Sequence, residues 1–174
     1  MSQNYHLIIS GKNIVLNAQG FIDALKYEAS PNGSSVSFDE GTPLLDEATD
    51  QPTILATVHK GQPIVLDSHA QQPSPKLETT LMEFTRYSGT DALSISISDE
   101  GSFSAYHYFR DGKMLRAVTN IGHDVQTEGI AIPYEEMGVD PQLVLTAFCD
   151  SWLVLKHLPW TVFHFQKQLQ TEAK

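Results

Sequence analysis

The sequence predicts an α+β protein in which an antiparallel sheet packs against helices. Three observations carry that reading. Leu93, Ile95 and Ile97 alternate with Ser94, Ser96 and Ser98, the period-two pattern of a half-buried strand. Asp111-Gly112 separates two further β-rich runs, Ser102–Arg110 and Lys113–Asn120, and Asp-Gly is a favoured two-residue hairpin turn. Helical and extended runs are interspersed without a regular βαβ rhythm, which favours hairpin-connected strands over a parallel sheet. Together these place a three-stranded meander over about 92–121, its first turn at Asp99-Glu100-Gly101. No repeat, low-complexity tract or linker divides the chain, so 1–174 reads as one domain.

The other elements follow in order. Tyr5–Ile9 is an early strand, and 13–16 its continuation or hairpin partner across Gly11. Asn17 or Gln19 leads into a helix carrying Phe21, Ile22, Leu25 and Ala29 at helical spacing, ended by Pro31-Asn32-Gly33. Val36-Ser37-Phe38 is a brief strand, and Asp39 to Pro52 a mobile or partner-facing loop. Thr53–His59 and Pro63–Asp67 form a hairpin around Lys60-Gly61-Gln62. Residues 70–75 are a loop, and Ser74 or Pro75 opens a helix with Leu77, Leu81, Phe84 and Tyr87 on one stripe, closed by Gly89. From Gly122 to Gly138 the pattern is irregular, with Ile130-Ala131-Ile132 a short edge strand. Asp140-Pro141 is a helix start, an acceptor followed by Pro at the first turn, and 141–156 reads as one largely buried helix. Residues 160–168 fit either a closing strand or a last helix, and the polar tail beyond Leu169 frays.

Charge narrows the function classes. Eleven basic residues face 21 acidic ones among 174, a net charge of −10. A duplex-binding protein carries a basic face to neutralise phosphates, and this chain has three arginines, Arg86, Arg110 and Arg116. Nucleic acid is therefore not an expected partner. No Lys or Arg occurs from Tyr27 to His59, where Glu28, Asp39, Glu40, Asp46, Glu47 and Asp50 lie, nor from Ala117 to Leu155, where Asp124, Glu128, Glu135, Glu136, Asp140 and Asp150 lie. Such acids keep a surface hydrated, and they also suit a basic partner and steered association. The apolar runs fall well short of the ~20 residues of a membrane span, and Met-Ser-Gln-Asn-Tyr-His lacks the basic n-region of a secretory signal. A cytoplasmic protein is expected.

The usual chemistry-bearing motifs are missing. There is no G-x-G-x-x-G or P-loop to cradle phosphate, no G-x-S-x-G elbow, and no H-E-x-x-H among the seven histidines. Stretch 39–50 has the length of a calcium loop but not its alternating ligands. The lone Cys149, inside an apolar stretch, reads as a small buried hydrophobe. No catalytic residue, cofactor or metal is expected. In the aromatic run Tyr106-His107-Tyr108-Phe109-Arg110, strand alternation puts Tyr106, Tyr108 and Arg110 on one side. Their rings either cover a second layer of helices or, if Phe103 and Phe109 point inward, form an exposed face of the residue types that anchor interfaces.

The run Tyr108-Phe109-Arg110-Asp111-Gly112 with Arg116, followed by Gly129 and Pro133-Tyr134-Glu135, resembles a pattern in small bacterial proteins of unknown or immunity function, covering about 106–136. The whole chain is similar in style to the immunity proteins that accompany type VI secretion and other polymorphic toxins. The resemblance implies a non-enzymatic antitoxin that binds a cognate basic toxin and occludes its active site. The candidate contacts are Asp39, Glu40, Asp46, Glu47 and Asp50 in the loop, with Tyr106, Tyr108 and Arg110 as anchors. Two other readings stand beside it: an α+β domain with a small-molecule or catalytic pocket, and a homodimeric interaction module.

Overall fold

The computed structural model describes residues 4–12, 14–45, 53–68, 74–98 and 103–165. Its strands are β1 (Asn4–Ser10), β2 (Ala29–Val36), β3 (Thr53–His59), β4 (Gln62–Ser68), β5 (Ala92–Ser98), β6 (Phe103–Arg110), β7 (Lys113–Ile121), β8 (Asp124–Gly129) and β9 (Trp160–Phe165). The helices are α1 (Ala18–Ala24), α2 (Phe38–Gly41), α3 (Pro75–Ser88), α4 (Pro141–Phe148) and α5 (Trp152–Lys156), with 3-10 turns at Thr42–Leu45 and Pro133–Glu135. All nine strands join one sheet in the order β2-β9-β3-β4-β1-β5-β6-β7-β8, and every pairing is antiparallel. The expected α+β class holds, and the meander is one part of a larger sheet.

Both faces of the sheet are covered. Leu7, Ile9, Leu93, Ile95, Tyr106, Val118 and Val162 pack under α2, α4 and α5 through Phe38, Val144, Leu145, Phe148 and Leu155. Ile8, Val65, Phe109 and Phe163 pack under α1 and α3 through Phe21, Ile22, Leu81 and Phe84. Each buried Leu, Ile or Phe contributes about 1.5–3 kcal/mol of transfer free energy, so the two layers together hold the sheet between them. Strand β5 sits inside the sheet and every residue of it is buried. Ser94, Ser96 and Ser98, read from alternation as a solvent-facing row, are therefore buried. Alternation tells which residues share a face, not whether a second layer lies over it.

Turn chemistry behaves as the sequence dictates. Asp111 and Gly112 have φ of 53° and 80°, and Lys60 and Gly61 have 50° and 82°, the doubly positive pairs of type I′ hairpins. Ser74 caps α3 by accepting the Leu77 amide, with Pro75 in the first turn, and Gly89 ends it at φ 72°. Tyr87, expected on the buried stripe, is 82% exposed.

Four expectations fail for identifiable reasons. Helix α1 stops at Ala24, and Ala29–Val36 is an edge strand instead of a helix end and turn. Pro31-Asn32-Gly33 forms its bulge, where the register slips between Pro31 and Ser35; an edge strand tolerates Pro because that amide faces away from the ladder. Residues 14–16 form no strand. Asp39 and Glu40 belong to α2, where Ser37 and Glu40 make a reciprocal capping box. Strand β8 was hidden because all six of its residues are exposed, which leaves no apolar face to give a period, while Ile130–Ile132 is not a strand.

The helix expected over 141–156 is two helices. Gln62 Nε2 donates to the Phe148 carbonyl at 3.0 Å. The Asp150 carboxylate is drawn to His59 and Lys60, and Ser151 caps α5 by accepting the Val154 amide. Segment 160–165 is a strand between β2 and β3. Asp46, Glu47, Asp50, the 99–101 turn and the polar tail lie outside the described residues.

Gly129 closes β8 at φ 84°, and an added Cβ would lie 2.1 Å from the Leu115 carbonyl oxygen. Gly129→Ala is expected to cost about 2 kcal/mol or more, read as a lower denaturation midpoint in urea.

Candidate functional site

Three of the residues that carry the resemblance, Arg116, Gly129 and Glu135, meet where β7 pairs with the end of β8. Arg116 projects from β7 with its side chain 9% exposed. Its Nε donates to Glu135 Oε2 at 2.9 Å, its Nη2 to Glu135 Oε1 at 3.0 Å, and its Nη1 to the Gly129 carbonyl at 3.0 Å. Tyr106 OH donates to Glu135 Oε2 at 2.7 Å. The fork geometry satisfies a buried guanidinium and both carboxylate oxygens together. The Glu135 hydrogen bonds raise the Arg116 pKa further. Burial first, then the bond to Glu135, raises that of Tyr106. The clamp fastens the turn Pro133–Glu135 to β7.

Outside the clamp lies an open acidic edge. Every residue from Ile121 to Ala131 is exposed. Asp124, Glu128, Glu136 and Asp140 are exposed along this stretch and its continuation. Beside them Ile121, Val125, Ile130 and Met137 each expose more than half of their surface, at 55%, 51%, 71% and 78%. The outer side of β8 presents backbone groups that no strand among the described residues pairs.

On the inner side of the turn lies a cleft of about 360 Å³, formed where β1, β4, β5, β6 and α4 end. Tyr108, Tyr134 and Phe148 wall it, with ring centroids 5.0–6.3 Å apart. Asp91 Oδ2 accepts from Tyr108 OH at 2.7 Å and from Tyr134 OH at 3.2 Å. Burial first and the Asp91 interactions next raise both phenol pKa values. Lys12, Arg110, Asp91 and Asp111 bring charges of both signs to the lining.

The expected contacts therefore divide. Asp39 and Glu40 are exposed on α2, on the face covered by Phe38. Asp46, Glu47 and Asp50 lie outside the described residues. Tyr106 and Tyr108 are 0% and 3% exposed, so they cover a helical layer and are not the exposed anchors of the second alternative. His107 and Phe109 on the opposite side are buried as well, because this sheet has no bare face in the middle. Arg110 is exposed, with Asp111 at 3.7 Å.

Two further clusters have the composition of catalytic sites without the access. His6 sits with Nδ1 2.7 Å from Asp67 Oδ1 and Nε2 2.6 Å from Ser94 Oγ, the order of an Asp-His-Ser relay. Ser94 is 1% exposed on an interior strand, where a nucleophile meets no substrate. Tyr27 OH donates to Asp67 Oδ2 at 2.6 Å, and the cluster joins β1, β4 and β5 through polar groups. Near Cys149, His59 Nε2 lies 2.8 Å and Lys60 Nζ 3.2 Å from Asp150 Oδ2. The hydrogen bond from His59 leads the causes that hold Asp150 down to about 2. The Cys149 thiol is pushed up to about 12, by burial first and then by Asp150, so no thiolate forms there at neutral pH. Among the described residues no group of three or more His, Cys, Asp or Glu is placed to hold a metal ion, and no helix is long and apolar enough to cross a membrane.

Comparison with protein-family models, with curated proteins and with solved structures finds no match to this chain.

Sequence reasoning found Arg116, Gly129 and Glu135 as a pattern but gave them no joint role. It missed Gln62, Asp91 and the tie among His6, Asp67 and Ser94, because residues up to 88 positions apart meet only through strand order.

Glu135→Ala leaves a buried guanidinium without its counter-ion and is expected to cost about 3 kcal/mol, measured by urea unfolding. Burial, with His6 nearby, holds the His107 pKa down to about 4. Between about 6.5 and 4 the unfolded chain binds a proton that native His107 refuses. Stability from this group is thus complete above about 6.5 and declines as pH falls to about 4, by about 3 kcal/mol at most. His107→Leu is expected to flatten that part of the stability–pH curve.

Proposed function

We propose that this chain is a non-enzymatic binding protein that docks a basic protein partner on its acidic open edge. The partner in this reading is a toxin or effector, and the docked chain neutralises it by covering its active site. One observation carries the reading. The stretch without Lys or Arg from Ala117 to Leu155 contains the open edge, with Asp124, Glu128, Glu136 and Asp140 exposed beside Ile121, Val125, Ile130 and Met137. Apolar side chains supply contact area, and acids around them steer and orient a cationic surface. A net charge of −10 on each copy opposes self-association through the same edge. The toxin identity of the partner rests on the resemblance of 106–136 to immunity proteins.

The edge replaces the 39–50 loop and the tyrosine pair as the centre of the proposed interface, and Arg110 lies apart from it on the rim of the cleft. The test uses the whole chain, immobilised at low salt, against a lysate of the source organism, beside a Glu128→Lys, Glu136→Lys, Asp140→Lys variant. The expected result is one basic protein retained by the wild type and weakened about 100-fold by the charge reversal, with a smaller salt dependence. Co-expression of that protein with the wild-type chain, but not with the variant, is expected to restore growth. Equal retention by both chains, or a growth defect that neither chain relieves, would overturn the reading.

A further inference from the structure

We propose that the cleft between Tyr108, Tyr134 and Phe148 is a binding site for a free α-amino acid, its ammonium turned inward and its carboxylate outward. The inference does not depend on the acidic edge.

The floor of the cleft carries an unmet hydrogen-bond demand. Gln62 lines it and is 1% exposed. Its Nε2 donates at 3.0 Å to both the Ser10 and the Phe148 carbonyl oxygens. Those two bonds use both amide hydrogens and fix which end of the side chain is oxygen. Gln62 Oε1 is buried and has no hydrogen-bond partner among the described residues. A buried acceptor left without a protein donor is costly, and in native proteins such an atom is met by a water, an ion or a ligand. Asp91 lines the same floor as a carboxylate, with the two tyrosine hydroxyls on its Oδ2. An acceptor and an anion together ask for a group that is both cationic and rich in N–H donors, which an ammonium is.

The rim carries two cations against one anion, since Asp111 lines it 3.7 Å from Arg110, and the net positive charge asks for an anion. Lys12 and Arg110 line the cleft and are exposed. An ammonium at the floor and a carboxylate at the rim belong to one small molecule when the two charges are a few bonds apart, as in an α-amino acid. The three rings offer apolar surface for its side chain. The volume of about 360 Å³ falls near the lower end of the roughly 300–1,000 Å³ of ligand sites. Gly11 belongs to the construction: an added Cβ there would lie 1.8 Å from Asp91 Oδ1, so β1 comes this close to the carboxylate only as glycine.

The test is a titration of the isotopically labelled full chain, followed by NMR, with each standard L-amino acid. L-Phenylalanine is compared with phenethylamine, which lacks the carboxylate, and with N-acetyl-L-phenylalanine, which lacks the ammonium. The expected result is saturable shifts at the Gln62 side-chain amide and at the Gly11, Asp91 and Tyr134 backbone amides with one or more amino acids. Each truncated probe is expected to bind about tenfold or more weakly. Arg110→Ala, at an exposed position that leaves folding intact, is expected to weaken the amino acid and leave phenethylamine unchanged. Cleft amides that no amino acid moves at millimolar concentration would overturn the proposal. So would truncated probes that bind as well as the parent, or an Arg110→Ala chain that binds both alike.

Discussion

The Arg116–Glu135 pair is the interaction on which the functional end of this molecule depends. A guanidinium and a carboxylate removed from water cost several kcal/mol each, and only complete pairing offsets that. Here the pairing is complete: two bonds between the ions, one to the Gly129 carbonyl, and one from Tyr106. The start and the middle of the connection from β8 to α4 are thereby fixed. Gly129 is held at the end of β8, and Glu135 is held at the end of the turn that carries Tyr134. On one side of that connection stands the acidic edge. On the other side Tyr134 closes the cleft over Asp91. A substitution that frees Glu135 therefore disturbs two surfaces that do not touch each other.

A second constraint comes from the width of the sheet. Nine strands with helices over both faces bury residues that a half-covered sheet would leave wet. The polar side chains caught under the second layer are joined to one another, as His6 is to Asp67 and Ser94. Buried polar groups are tolerable when paired. This tie specifies how β4, β1 and β5 align, while burial first of all keeps the neighbouring His107 neutral.

Much of the fold was legible in the sequence. The Asp111-Gly112 and Lys60-Gly61 turns, the Ser74–Gly89 helix with its two caps, and the Asp140-Pro141 start all follow from local chemistry. What was not legible depended on context. Residues Asp124–Gly129 have no buried face, so β8 left no period. Pro31 and Gly33 look like a stop signal and are a bulge in an edge strand. The serines of β5 look like a wet face and lie under α3's layer. The site was less legible still. Arg116, Gly129 and Glu135 could be picked out as a pattern, yet their partnership needs the return of the chain through the 3-10 turn Pro133–Glu135. Gln62 and Asp91 carry no signal in sequence, because an unmet acceptor and a pair of tyrosine donors become visible only once five elements end at one place.

The most direct test of this account is hydrogen exchange of the wild-type chain and of Glu135→Gln, compared residue by residue. If the clamp holds both surfaces, loss of the Glu135 charge speeds exchange at β8 and from Ile130 to Gly138. It also perturbs Asp91 and Tyr108 at the cleft while β1, β3 and β4 keep their protection. Unchanged protection of β8 in Glu135→Gln would contradict the central claim, because the edge would then be ordered without the pair said to order it.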